Sequence, residues 1–180
     1  MLKGSEWVFV GIGANLGAPE TMIRSVVQEI SDIAMGQVFS SSIWRSEASG
    51  MVGNDFANAV VKFEYNGLPQ DLLEKLQALE VKHGRASDHK RYTSRTLDLD
   101  IIAFGVQRFS DSRLDIPHPR AHERLFVLLP LQEIESGFRF ADRPESLDQL
   151  IEKADPLRIR FWKDSGQEGI KSGRNKVWKD

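Results

Sequence analysis

Apolar and polar residues alternate through the middle of the chain, and this period of two predicts a β-strand. Successive side chains of a strand point to opposite faces, so Asp98 and Asp100 share one face. Leu97, Leu99 and Ile101 line the other face. The Cα atoms of the two aspartates are expected roughly 6.6 Å apart, which is two strand rises of about 3.3 Å. The pattern therefore predicts two carboxylates on one small surface.

Hydrophobic periodicity predicts the remaining elements of the chain as well. In order they are a strand at 7–12, a helix through about residue 33, strands at 37–45 and 56–64, a helix at 69–84, the aspartate strand, a helix at 146–154 and a strand at 158–162. The first six follow the split βαβ layout of a ferredoxin-like α+β fold, an antiparallel sheet with helices packed on one face. We expect the other face to stay free and C-terminal additions to supply further helices.

The first strand ends in a stretch with three glycines, at positions 11, 13 and 17. A dinucleotide-binding fingerprint would also place glycines after a strand, but here the third glycine lies one residue too far along. We interpret the stretch as a tight turn that leads into the first helix.

Two carboxylates on one strand face repel each other unless one is protonated or a cation lies between them. A hard divalent ion such as Mg²⁺ prefers oxygen ligands and suits the second case. Arg91 and Arg95, just upstream, could bind phosphate, and this combination is typical of phosphoryl transfer. The alternative is an ordinary solvated strand face with arginines as surface counter-ions.

The composition of the 180 residues fits a single globular domain, which we place at 1–164. Residues 165–180 are rich in Lys, Gly and Ser, and we predict a basic, flexible tail there. A net charge of -2 argues against bulk binding of nucleic acid. No apolar run is long enough for a membrane span, and the absence of cysteine fits a reducing compartment, so we expect a cytoplasmic protein.

Five short stretches together resemble the 6-hydroxymethyl-7,8-dihydropterin pyrophosphokinase family, over residues 8–133. They are Gly13-Ala14-Asn15-Leu16, Phe56-Ala57-Asn58-Ala59-Val60, Glu80 with Gly84-Arg85, Arg95-Thr96-Leu97-Asp98-Leu99-Asp100-Ile101 and Ile116-Pro117-His118-Pro119-Arg120. The resemblance implies a ferredoxin-like core and transfer of pyrophosphate from ATP to the hydroxymethyl group of the dihydropterin, with release of AMP. It also implies that Asp98 and Asp100 bind two Mg²⁺ ions.

The same resemblance implies roles for individual residues. The positions that match nucleotide contacts are Gln77, Glu80, Arg85, Arg95, His118 and Arg124. Arg91 and Tyr92 match the family's mobile catalytic loop, and together with Arg95 they form the expected catalytic group. The pterin would contact the Asn58 amide and Asp98 and lie between the rings of Phe56 and Phe126.

Some positions depart from the family pattern. Ala14 stands where serine is usual, Tyr92-Thr93-Ser94-Arg95 replaces a Trp-Gly-Pro-Arg run, and the loop at 46–55 lacks the usual Thr-Pro and Gln-Pro pieces. A diverged paralogue that acts on a related heterocyclic alcohol is therefore one alternative. A non-catalytic ferredoxin-like module that binds RNA through its sheet is another, although paired aspartates on that face would repel phosphate. We expect a monomer whose partners are the two small substrates.

Overall fold

An antiparallel sheet of six strands forms the centre of the protein, in a computed structural model that describes residues 4–47, 54–84 and 96–162. The strands of the chain are β1 (Glu6–Ala14), β2 (Met35–Ser40), β3 (Trp44–Ser46), β4 (Phe56–Tyr65), β5 (Asp98–Phe104), β6 (Phe109–Ser110), β7 (Asp115–Ile116) and β8 (Ile159–Phe161). The main sheet has the order β5-β1-β4-β3-β8, and β2 also pairs with β4. β6 and β7 form a separate small hairpin.

Two helices cover one face of this sheet, which we call the first face. They are α1 (Pro19–Ile30) and α2 (Pro69–Lys82), both with proline in the first turn, where its missing N–H costs nothing. Ile23 and Val26 of α1 and Leu72 of α2 are buried in the same apolar cluster as Val10 of β1. The predicted stop of the second helix is confirmed, since Gly84 follows with a φ of 89°.

The second face of the sheet is also partly covered, so the expectation that it stays free was wrong. α3 (Leu125–Ile134) and α4 (Leu147–Lys153) pack there, and Leu128 of α3 shares an apolar cluster with Phe9 and Val60. α3 is apolar nearly all round and has to be buried on several sides. The sheet and α4 together provide that burial.

The strand expected at 37–45 is interrupted and forms β2 and β3 instead. At the break, the Ser41 hydroxyl accepts a hydrogen bond from the Val60 backbone N at 3.0 Å, while the Ser41 backbone N donates to the Val60 carbonyl at 2.9 Å. A side chain thus takes over one ladder bond. The helix at 147–153 and the last strand are close to the predicted positions, whereas the tail lies outside the described residues.

Candidate active site

The aspartate strand is β5, and its predicted alternation is confirmed. Leu99 and Ile101 are buried beneath the sheet against the helices of the first face. Asp98 and Asp100 lie on the second face and are partly exposed, with 44% of the Asp100 side chain accessible. Both carboxylates can therefore contact a solute that lies on the second face.

A buried glutamate holds β5 from the first face. The Leu99 backbone N donates to Glu80 Oε1 at 2.7 Å, and Glu80 is only 2% exposed. Among the described strands β5 lies at the edge of the sheet, and none of them pairs with the outer side that carries this N–H. Because Leu99 lies between Asp98 and Asp100, the Glu80 carboxylate fixes the backbone of both.

We expect Glu80→Ala to lower the free energy of unfolding by about 1–3 kcal/mol, because it leaves the buried Leu99 N–H without this acceptor. Glu80→Gln keeps an acceptor oxygen at the same place and should lose less. Urea unfolding of both variants measures the difference. Glu152→Ala, at an exposed position of α4, is the control. Equal stability of Glu80→Ala and Glu152→Ala would contradict this role.

His118 lies next to the aspartate pair in a fixed tautomer. Its backbone N donates to the Ile102 carbonyl at 2.9 Å, and its Nδ1 accepts from the Arg120 backbone N at 3.1 Å. The proton of the neutral ring is therefore on Nε2, which lies 3.8 Å from Asp100 Oδ2. Burial lowers the pKa of His118, against the opposite effect of the Asp100 carboxylate. At neutral pH the ring is therefore uncharged, and its Nε2–H is a hydrogen-bond donor on the second face of the sheet.

Arg124 adds a positive charge to this group. Burial lowers the pKa of its guanidinium, while the carboxylates of Asp100 and Asp98 act in the opposite direction. An arginine stays protonated at neutral pH even so. Arg124 also lies over the ring of Phe126, with its Cζ 5.6 Å from the ring centroid. The structure thus brings together the predicted residues Asp98, Asp100, His118, Arg124 and Phe126.

Asn58 lies on the second face of β4 and is 5% exposed. Its Nδ2 donates to Ser46 Oγ at 2.9 Å and lies 3.4 Å from the carbonyls of Trp44 and Phe56. Phe56, the first residue of β4, pairs with Ser46 and is half-buried. Within the described residues, the rings of Phe56 and Phe126 do not contact each other.

Gly11 and Gly13 lie inside β1, so the tight turn expected there was wrong for these two residues. Gly17, with a φ of 65°, does lie in the connection between β1 and α1. Gly13 pairs with Asn58 on one side and with Asp98 on the other, while Gly11 pairs with Val60 and Asp100. Side chains in one cross-strand row point to the same face. Gly13 therefore leaves bare backbone between Asn58 and Asp98, which we call the trough. At Gly11 the Ile102 side chain lies in this space, 3.4 Å from where a Cβ would be.

The width of the trough follows from sheet geometry. Two strand spacings of about 4.8 Å separate the backbones of Asn58 and Asp98 by roughly 9.6 Å. In the part of the chain that the structure describes, the atom nearest to a Cβ added at Gly13 would be Asn58 Oδ1, at 3.8 Å. A flat ring can therefore lie on the backbone with an amide at one edge and carboxylates at the other.

Arg113, which the sequence reasoning missed, lies beside a predicted nucleotide residue. Its Nη2 donates to Gln77 Oε1 at 3.3 Å, and its Nη1 lies 3.4 Å from Glu74 Oε1. Arg113 is in the loop of the β6–β7 hairpin, whereas Gln77 is on α2. No local sequence pattern connects these two positions, so only the packing of the hairpin against the helix reveals the contact.

Four of the predicted site residues cannot be placed. Arg85, Arg91, Tyr92 and Arg95 lie outside the described ranges. In the part of the chain that the structure describes, no three histidine, aspartate or glutamate side chains form a metal-binding group. The described helices also include none with the length and apolar character needed to span a membrane.

Known proteins are similar to this chain over the stretch that contains these site residues. The family model described as 7,8-dihydro-6-hydroxymethylpterin-pyrophosphokinase (HPPK) matches residues 9–136. The 2-amino-4-hydroxy-6-hydroxymethyldihydropteridine pyrophosphokinase of Synechocystis sp. is 37% identical over 147 residues, which cover 81% of this chain and 75% of that protein. Its namesake in Haemophilus influenzae is 37% identical over 130 residues, covering 71% of this chain and 81% of that protein.

A solved structure agrees at the level of the fold. The wild-type HPPK-DHPS of Plasmodium falciparum with pteroate superposes with a TM-score of 0.66 at 12% identity, over 83% of this chain. This chain spans only 42% of that longer one. Since the family model covers most of the sequence and the bacterial relatives exceed 30% identity over most of their own lengths, the chain belongs to the 7,8-dihydro-6-hydroxymethylpterin-pyrophosphokinase family.

Proposed function

We propose that the protein transfers pyrophosphate from ATP to the hydroxymethyl group of 6-hydroxymethyl-7,8-dihydropterin and releases AMP, a step of folate biosynthesis. The observation that carries the proposal is the row Asn58, Gly13 and Asp98 across three adjacent strands. It offers a hydrogen-bonding amide, a bare floor and a carboxylate to one flat ring. The family relatives are named for this reaction.

The donor set of Asp98 and Asp100 fits magnesium. Both are carboxylates, they share one face, and Mg²⁺ typically takes one or two carboxylates together with substrate phosphates and water. Two bound Mg²⁺ ions would neutralise charge on the triphosphate. In this chain, Asp98 and Asp100 would hold them, and Asp98 would also lie next to the pterin.

The nucleotide would lie on the side of His118 and Arg124. The Nε2–H of His118 and the guanidinium of Arg124 are donors suited to phosphate oxygens. Gln77 would contact the nucleotide from α2, on the first-face side of the edge strand β5, where Arg113 donates a hydrogen bond to it. Glu80 is buried under β5, so it would act on the nucleotide site by holding that strand.

Residues outside the described ranges complete the proposal. Arg85 and Arg95 would contact ATP, and Arg91 and Tyr92 would join Arg95 in catalysis. Positioning and charge stabilisation supply most of a phosphoryl-transfer barrier, so these residues need not act as a strong base. The pterin ring would stack between Phe56 and Phe126.

We also propose that the fold is ferredoxin-like, with one domain over residues 1–164. The sheet order supports this. If the interrupted strand β2 and β3 is counted as one, β5 is the fourth strand of the layout and lies beside β1, while β4 separates β1 from β2 and β3. Helices α1 and α2 share the first face, as the layout requires. We expect the protein to act as a monomer in the cytoplasm.

The decisive experiment mixes the purified protein with ATP, Mg²⁺ and 6-hydroxymethyl-7,8-dihydropterin and follows AMP together with the pterin pyrophosphate. Equal amounts of both products are the expected result. ATP binding in the presence of Mg²⁺ without turnover of this pterin would refute the assigned substrate and favour a diverged paralogue. RNA binding without ATP binding would favour the non-catalytic alternative.

We expect Arg95→Ala to lower kcat about 10²-fold to 10³-fold, because an arginine that neutralises transition-state charge can be worth about 10³ in rate. Arg120→Ala is the matched control, since Arg120 is exposed and lies 3.5 Å from Glu123. It should change kcat less than about threefold, the modest effect of a surface pair. Steady-state kinetics of both variants make the comparison. Equal kcat values would refute the expectation that loss of Arg95 harms catalysis more than loss of Arg120.

A further inference from the structure

The hydroxyl of Ser46 forms a hydrogen bond with the side-chain amide of Asn58, the residue proposed to bind the pterin. Ser46 is 2% exposed at the end of β3, between Phe56 of β4 and Ile159 of β8. Strands on both sides fix its backbone, so the hydroxyl has a defined position. This hydroxyl accepts from Asn58 Nδ2 at 2.9 Å, the shortest of the three contacts that this nitrogen makes within the described ranges.

The surroundings of Asn58 define which end of its amide is the nitrogen. The carbonyls of Trp44 and Phe56 both lie 3.4 Å from Nδ2, and a carbonyl can only accept a hydrogen bond. The reversed amide would place an oxygen against these two acceptors. The NH₂ group therefore faces β3, and Oδ1 is the atom closest to the space above Gly13.

We infer that Ser46 is a positioning residue that orients Asn58 so that Oδ1 faces the trough as a hydrogen-bond acceptor. The site then selects a heterocycle that presents an N–H donor at this edge, as the amino-pyrimidinone ring of a pterin does. The Ser46 hydroxyl itself need not touch the substrate. This inference rests on the proposed function and deepens it.

Among the described residues, removal of the hydroxyl leaves Nδ2 with two long contacts, which hold the amide plane weakly. We expect Ser46→Ala to raise the KM for the dihydropterin about fivefold to tenfold, the scale of one neutral hydrogen bond. The KM for ATP and kcat should stay within about twofold, because Ser46 is on the pterin side of the trough. Ser46→Thr keeps a hydroxyl and should restore the KM.

Ser41→Ala is the matched control for loss of a buried serine hydroxyl. The Ser41 hydroxyl also bonds β4, but it accepts from the Val60 backbone and not from a side chain in the site. It should lower thermal stability while leaving the KM for the dihydropterin unchanged. A rise in KM that is common to both alanine variants, or one that Ser46→Thr does not reverse, would overturn the inference.

Calorimetric titration with 6-hydroxymethyl-7,8-dihydropterin in the presence of Mg²⁺ and a non-hydrolysable ATP analogue separates this inference from the proposed function. Tight binding to the wild type with weaker binding to Ser46→Ala supports the role of Ser46 whether or not turnover occurs. Equal binding to both overturns that role and leaves the proposed substrate standing. A wild type that does not bind the pterin overturns both.

Discussion

Asp98→Asn and Asp100→Asn should each lower Mg²⁺-dependent formation of AMP and pterin pyrophosphate by about 10³-fold or more. Each substitution keeps the size of the side chain and removes one of two charges that would bind metal. A loss of 10³ in rate corresponds to about 4 kcal/mol of transition-state stabilisation, within the several kcal/mol expected of metal-ion catalysis. Initial rates measured over a range of Mg²⁺ concentrations test the expectation.

The fold should survive both substitutions. Neutralising one of the two like charges removes a repulsion but also weakens the attraction of Asp98 and Asp100 to the Arg124 guanidinium. These effects oppose each other on a partly exposed surface, so the melting temperature should change little. Asp32→Asn, at an exposed position after α1, is the control for loss of an aspartate charge. Wild-type rates in both strand variants would exclude these carboxylates as metal ligands.

The aspartate pair could be predicted from the sequence because its signal is local. Alternation over a few residues decides which side chains share a face, whatever the strand pairs with. The ends of α2 and α4 could be predicted for the same reason, because proline, glycine and a capping serine act within one helical turn. Ser146, for example, accepts from the Gln149 backbone N at 3.3 Å.

The trough could not be predicted in this way, because it forms only where two strands that are distant in the sequence pair with β1. Gly13 looks like part of a turn until β4 and β5 pair on either side of it. Only then does the missing side chain become a floor between Asn58 and Asp98. The contact of Arg113 with Gln77 is non-local in the same sense, as it depends on how a hairpin packs against α2.

The covered second face was missed for a different physical reason. An amphipathic helix indicates which side it buries, but Leu125–Ile134 has buried residues on nearly every side. The sequence of such a helix does not indicate which of its sides packs against the sheet. Its position matters to the site, because α3 begins at Leu125, directly after Arg124, and carries Phe126 in its first turn. The unpredicted packing of α3 thus places Phe126 beside Arg124.

Filling the trough should abolish use of the pterin without unfolding the protein. We expect Gly13→Val to lower kcat/KM for the dihydropterin at least about 10²-fold, because the side chain would occupy the bare strip between Asn58 and Asp98. A Cβ at this position meets no atom of the described residues nearer than 3.8 Å, and a β-branched residue suits a strand. Binding of ATP with Mg²⁺ should persist, since the aspartates and His118 are unchanged.

Two further variants make this test specific. Gly13→Ala adds one methyl group to the floor and should give a smaller loss, so the series Gly, Ala, Val should show a graded rise in the KM for the dihydropterin. Gly4→Val is the control, because a Cβ there also meets no described atom within 4 Å and Gly4 precedes β1. If Gly13→Val folds and uses the dihydropterin with the wild-type KM, the ring does not lie on the β1 backbone. The row Asn58, Gly13 and Asp98 would then not be the pterin site, even if the aspartate variants behave as expected.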